Sequence, residues 1–166
     1  VGSKRMHSRP IGTLIDALNK LGADIKYLEK ENYPPLKIIG KKIEGGSISI
    51  DGSVSSQFIS SLMMVAPSFE SGLQIKINGL SVSAPYIYMK SSLINEFGCK
   101  VSVKRVEVNI QKGLVSTDEK ASIEPDWSSA SYWYLIALLS KKAEIYLPNY
   151  RQNSFQGDAM VRGLFE

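Results

Sequence analysis

One cysteine, one histidine and no long apolar run set the first limits on this 166-residue sequence. Cys99 alone excludes an internal disulfide, and together with His7 it leaves too few soft ligands for a zinc centre. Cys99 stands between Gly98 and the alternating stretch Lys100-Val-Ser-Val103, where a small buried thiol is ordinary, so no reactive role is read into it. Nothing approaches the roughly 18 consecutive apolar residues of a membrane span, and no signal peptide is visible. A cytoplasmic, metal-independent protein is therefore expected. The glycine-rich phosphate loops of ATP-binding and NAD-binding folds are also missing. The sequence starts at Val1 without a methionine and stops at Gly163-Leu-Phe-Glu166 with an unfinished apolar pattern, so it reads as a piece of a longer chain.

What is present is the composition of an ordinary globular protein, 43% hydrophobic and 22% charged. The net charge of +4 is weak, and the basic residues are scattered beside acidic ones, as in Lys26-Tyr-Leu-Glu-Lys-Glu31. A nucleic-acid interface would gather them on one element. Small anionic ligands suit this balance at least as well as a polyanion.

Ile11, Leu14, Ile15, Leu18 and Leu21 recur at helical spacing and end at Gly22, after which Ala23-Asp-Ile-Lys-Tyr27 reads as a strand. Tyr86, Met89, Leu93 and Phe97 make a second apolar face that ends at Gly98 and leads to the strand Cys99 to Val103. Leu21-Gly22-Ala23-Asp24 matches Phe97-Gly98-Cys99-Lys100, which points to an internal repeat of helix and strand. Arg105-Val-Glu-Val-Asn-Ile110 alternates strictly and is expected to pair as a hairpin with the strand before it. The texture changes at Glu124-Pro-Asp126, before the apolar helix Trp133-Tyr-Leu-Ile-Ala-Leu-Leu139. A domain boundary at about 120–127 follows, with residues 1–122 before it and 123–166 after it. Tyr132, Trp133 and Tyr134 are consecutive on a helix, so core packing explains them better than a base-stacking platform.

The segment Asp51-Gly-Ser-Val-Ser-Ser-Gln-Phe58 ends a strand, turns on glycine and opens a helix with serines. The first helical N–H groups lack partners within the helix, the macrodipole adds partial positive charge, and hydroxyls add donors. A phosphate or carboxylate fits such a place. Ser83-Ala-Pro-Tyr86 repeats the arrangement after the strand Leu73-Gln-Ile-Lys-Ile77, and Asp126-Trp-Ser-Ser-Ala-Ser131 does so a third time. Ser8-Arg9-Pro10 is read as a fourth such helix start, its arginine able to grip an oxyanion with two parallel hydrogen bonds.

Those segments, with Glu31-Asn-Tyr-Pro-Pro-Leu36, occur in one order that resembles the 3-phosphoshikimate 1-carboxyvinyltransferase (EPSP synthase) family from Arg5 to about Asp158. The resemblance implies an α/β (α+β) fold of repeated βαβαββ units, the inside-out α/β barrel of enolpyruvyl transferases, present here in part. It implies that 1–122 is part of the upper, shikimate-phosphate-binding domain and 123–166 the crossover and the start of the lower one. It implies transfer of the enolpyruvyl group of phosphoenolpyruvate to the 5-hydroxyl of shikimate 3-phosphate, without metal or organic cofactor. Ser55, Ser56, Gln57, Ser83 and Tyr86 would bind shikimate 3-phosphate, and Arg9 and Gln57 phosphoenolpyruvate. A monomeric full-length parent is implied, with no nucleic-acid or membrane partner. Ala84 stands where the family often has lysine, which removes a charge. The family's other catalytic and charge-neutralising groups have no counterpart, so no catalytic residue is assigned and the isolated chain is expected to be inactive. Two other readings are an enolpyruvyl transferase acting on a nucleotide sugar and a non-catalytic βαβ module that binds RNA or protein.

Overall fold

A computed structural model of the chain describes residues 3–53, 56–79, 84–113 and 122–165. The chain divides into two compact units, Val1–Thr117 and Asp118–Glu166. The first opens with a single helical turn, α1 (Lys4–His7), followed by α2 (Gly12–Lys20) and a hairpin of β1 (Asp24–Tyr27) and β2 (Leu36–Ile39). Then come β3 (Gly46–Asp51), α3 (Ser56–Val65), β4 (Leu73–Asn78), α4 (Ala84–Glu96), β5 (Val101–Lys104) and β6 (Glu107–Ile110). This second series is one complete βαβαββ unit, and its strands form a sheet in the order β3-β4-β6-β5. Strands β3 and β4 run parallel, while β6 is antiparallel to both β4 and β5.

The sheet is buried on one face only, as the period-two pattern requires. Ile48 and Ile50 of β3 face inward while Ser47 and Ser49 are exposed, and Leu73, Ile75, Ile77, Val108 and Ile110 continue the apolar face. Ile59, Leu62 and Met63 of α3 seal it and are completely buried. Helix α3 packs beside α4 and α2, and α2 also lies against β1 and β3. Ile15, Ala17 and Leu21 bury the inward side of α2, with Leu14 and Leu18 packed against the core.

The face of α4 differs from the sequence reading. Ile87 and Ser91 are buried and Ile94 packs on the core, whereas Tyr86 is 51% exposed. The spacing from Tyr86 selected a stripe rotated by about one position, because a buried serine interrupts the apolar pattern at the place where it matters. The strand expected from Arg105 begins instead at Glu107. Lys104 pairs with Glu107, so Arg105 and Val106 are consumed by the two-residue turn of the hairpin.

The second unit is built on α5 (Trp127–Leu139) and a 3-10 segment, Gly157–Leu164. Asp126 caps α5, its carboxylate accepting from the Ser128 amide at 2.9 Å. Trp127 is buried, packed edge-on against Tyr150 with ring centroids 4.9 Å apart. The expected core role of the aromatic triplet holds only for Tyr134, which packs on Phe165 at 4.9 Å. Tyr132 is 70% exposed, and Trp133, Leu135, Leu138 and Leu139 are half exposed or more. A helix apolar all round needs cover on every side, and within this unit α5 is covered on one. No helix among the described residues is long and apolar enough to cross a membrane.

Candidate functional site

The parallel pairing of β3 with β4 brings the starts of two helices side by side. In register, Asp51 at the end of β3 stands opposite Asn78 at the end of β4. The Gly52 amide donates to the Asn78 carbonyl at 2.7 Å, which ties the two carboxyl ends together. Each strand then leads into a helix that packs against the other, α3 and α4. Two helix N-termini therefore open from one edge of one sheet. Neither helix carries an acidic residue in its first turn. Neither end therefore carries a first-turn carboxylate to offset the positive end of its helix dipole.

Ser56 and Gln57 lie on the first turn of α3, with Ser56 half-buried and Gln57 exposed. Tyr86 lies on the first turn of α4 with half its surface in solvent. Ser55 and Ser83 lie outside the described residues. Asp51 accepts from the Ser53 amide at 2.8 Å, and this bond, with one from the Ser53 hydroxyl, holds the Asp51 carboxyl below the usual carboxylate range. Ser53 is thus committed to the turn.

Two of the four helix starts are built otherwise than expected. Helix α2 is preceded by Ile11, which offers no side-chain cap, and the Ser8 hydroxyl donates to the Arg5 carbonyl at the end of α1. A Cβ at Gly12 would sit 2.1 Å from the Asn32 side-chain oxygen, so Asn32 covers this end of α2. Arg9 is exposed in the segment between the two helices. The start of α5 is occupied by carboxylates. Asp126 caps it, and Asp158 accepts from the Ser128 hydroxyl at 2.9 Å. An anion would meet two negative charges there.

Sequence reasoning missed two polar devices. Asn19 accepts from the Ile25 amide and donates to the Ile25 carbonyl, at 3.0 and 2.9 Å. Asn95 does the same to Val101, at 2.8 and 3.0 Å. In both copies the glycine three residues later has a positive φ, +99° at Gly22 and +86° at Gly98. The signal was legible as Asn19-Lys-Leu-Gly22 and Asn95-Glu-Phe-Gly98. The second device is Glu124, whose carboxylate accepts from the Trp127 indole and the Arg151 amide on one oxygen and from Ser154 and Gln156 on the other. Burial pushes this carboxyl up, and the four hydrogen bonds bring it below the usual range. Arg151, Ser154 and Gln156 are distant in sequence, and no local pattern announces them.

Among the described residues no group of three or more His, Cys, Asp or Glu gathers to hold a metal. Against known proteins, the family model for EPSP synthase (3-phosphoshikimate 1-carboxyvinyltransferase) matches residues 1–164. The chain belongs to the EPSP synthase family. It is 42% identical over 99% of its length to the 3-phosphoshikimate 1-carboxyvinyltransferase of Bacteroides fragilis and 43% identical to that of Vibrio atlanticus. It spans about 40% of the length of these relatives. In fold it is similar to the EPSP synthase of Acinetobacter baumannii, with a TM-score of 0.72 over 92% of this chain and 34% of that one, at 19% identity. The βαβαββ unit is therefore an EPSP synthase unit, and the internal match of the two Asn-x-x-Gly turns is a repeat within that fold.

Proposed function

We propose that this chain is the part of a 3-phosphoshikimate 1-carboxyvinyltransferase that holds shikimate 3-phosphate. The observation that carries this reading is the pair of helix N-termini, α3 and α4, free of first-turn acids and opening from the joined ends of two parallel strands. In a member of this family, such a place suits the phosphate of that substrate. Ser55, Ser56 and Ser83 supply hydroxyl donors to it, and Tyr86 lies along the shikimate ring. Gln57 sits between the two substrates, and Arg9 holds phosphoenolpyruvate. In the whole enzyme the 5-hydroxyl of shikimate 3-phosphate adds to the enolpyruvyl carbon, and the tetrahedral intermediate then loses inorganic phosphate. These 166 residues position ligands but are assigned no acid or base for the proton transfers that addition and elimination require, so the chain alone binds without turnover. Residues 1–122 belong to the shikimate-phosphate-binding domain and 123–166 to the crossover and the start of the next. The enzyme is a cytoplasmic monomer.

The test is calorimetric titration of the chain with shikimate 3-phosphate. Replacing Ser55 and Ser56 together by Ala is expected to weaken binding by roughly 2 to 4 kcal/mol, the scale of hydrogen bonds to a charged group. Equal affinity in the double variant refutes the assignment. Salt-dependent binding of RNA, with none of shikimate 3-phosphate, replaces it by a polyanion-binding module.

A further inference from the structure

Arg9 stands on a short connection whose backbone is tied down at both ends. On the near side the Arg9 amide donates to the Met6 carbonyl at 3.1 Å, and the Ser8 hydroxyl to the Arg5 carbonyl at 2.9 Å. Pro10 follows, its ring fixing one backbone torsion. On the far side the Ile11 amide donates to the Asn32 carbonyl at 2.9 Å, which joins the start of α2 to the loop between β1 and β2. Arg9 thus sits between an anchor on α1 and an anchor on the hairpin.

The second anchor is built for close approach. Asn32 has a φ of +69°, a left-handed conformation that asparagine adopts more readily than most residues with a side chain. There it presents its carbonyl to Ile11 and lays its side chain against Gly12, which is buried. A Cβ at Gly12 would lie 2.1, 2.7 and 3.0 Å from Oδ1, Cγ and Cβ of Asn32, so the nearest obstacles all belong to one side chain. Only glycine fits beneath it. The loop that carries Asn32 is itself braced, with the Leu28 amide on the Pro35 carbonyl at 3.0 Å, the Tyr33 amide on the Lys30 carbonyl at 3.2 Å, and the Lys30 ammonium 4.2 Å from the centre of the Tyr33 ring. Asn32 is exposed, so the contact adds little to the core. What it fixes is the path of residues 10–12, and with it the place from which Arg9 projects.

We propose that Asn32 is a positioning residue for phosphoenolpyruvate: by holding the backbone at Ile11 and Gly12 it sets where the Arg9 guanidinium meets the anionic groups of that substrate. This rests on the reading of Arg9 as the group that holds phosphoenolpyruvate. A guanidinium grips an oxyanion through two parallel hydrogen bonds, so a shift of about 1 Å at its root spoils the geometry while leaving the charge in place.

The test is steady-state kinetics of a full-length enzyme carrying these residues, with thermal melting followed in parallel. Gly12→Ala is expected to push the Asn32 side chain aside and raise KM for phosphoenolpyruvate about tenfold, with KM for shikimate 3-phosphate within about twofold of the parent. Adding Asn32→Gly to Gly12→Ala removes the obstructing atoms and tolerates the positive φ, so KM for phosphoenolpyruvate is expected to return to within about threefold of the parent. Asn32→Ala, a milder change at an exposed residue that disfavours the left-handed conformation, is expected to raise the same KM about fivefold and serves where Gly12→Ala does not fold. In an Arg9→Ala background neither change is expected to move that KM by more than about twofold, because the latch acts through Arg9. A purely structural contact would instead lower melting and disturb both Michaelis constants with or without Arg9. If Arg9→Ala leaves KM for phosphoenolpyruvate unchanged, the reading of Arg9 fails and the proposal falls with it. If Arg9→Ala raises it but Gly12→Ala and Asn32→Ala do not, or if they raise both constants alike or act undiminished without Arg9, the positioning role alone is overturned.

Discussion

Replacing Asn95 by Ala should destabilise the first unit by an amount the geometry sets. The side chain makes two hydrogen bonds to Val101, accepting from its amide at 2.8 Å and donating to its carbonyl at 3.0 Å. Each is worth about 1 kcal/mol net, and Val101 is only 9% exposed, so its freed backbone groups regain water poorly. A loss of about 2 to 3 kcal/mol follows, or a fall in melting temperature of about 8 to 12 °C for a unit of this size. Circular dichroism follows the whole chain, while both tryptophans, Trp127 and Trp133, lie in the second unit. Tryptophan emission therefore serves as an internal control and should melt unchanged. Asn95→Asp keeps the acceptor but places an oxygen against the Val101 carbonyl, so an intermediate loss is expected. Asn19→Ala should match Asn95→Ala, because the same two bonds are made to Ile25. An unshifted melt, with the Val101 amide exchanging as slowly as before, refutes the reasoning.

Glu124→Gln should cost the second unit about 2 kcal/mol, because an amide nitrogen replaces one oxygen among four donors, and the ultraviolet-excited emission of Trp127 should shift with it. Because the folded-state pKa of Glu124 is lowered, its stabilisation is complete above the ordinary glutamate range and is lost as pH falls through the folded value. Acid titration of tryptophan emission should show this step in the parent chain and lack it in the glutamine variant. Gly72→Ala should destabilise the first unit by about 2 kcal/mol or more, since φ is +65° and the new Cβ would lie 2.3 Å from the Ile110 carbonyl. Thermal melting of that variant checks it. Lys112→Met removes an exposed ion pair with Glu70 and should leave stability nearly unchanged, as measured by denaturant titration. In a full-length enzyme carrying these residues, Arg9→Ala should raise KM for phosphoenolpyruvate far more than for shikimate 3-phosphate; equal effects in steady-state kinetics would place Arg9 wrongly.

The elements that announced themselves did so through period and punctuation. Strands β3 and β4 alternate cleanly because one sheet face is wet, and Gly22 and Gly98 stop their helices where a left-handed residue is needed. Helix α4 was misjudged in rotation because Ser91, 7% exposed, occupies an inward position that composition assigns to the surface. That α3 and α4 each start soon after a strand was legible, since a strand, a turn and a helix start are all local. Whether such a start stays open is not local. Asp158 closes the end of α5 from thirty residues away, and Asn32 closes that of α2 from across a hairpin. The same limit applies to Glu124, whose partners at 151, 154 and 156 converge only after folding. Ile38 and much of α5 stay in solvent although their residues are apolar, which a sequence pattern alone does not reveal.

The anion-holding role of the paired helix ends is tested most directly by a nuclear magnetic resonance titration of the chain with shikimate 3-phosphate. The largest amide shifts are predicted at Ser56, Gln57 and Tyr86, with the start of α5 at Trp127, Ser128 and Ser129 unmoved. Shifts confined to α5, or no movement at α3 and α4 with substrate in excess, would contradict it.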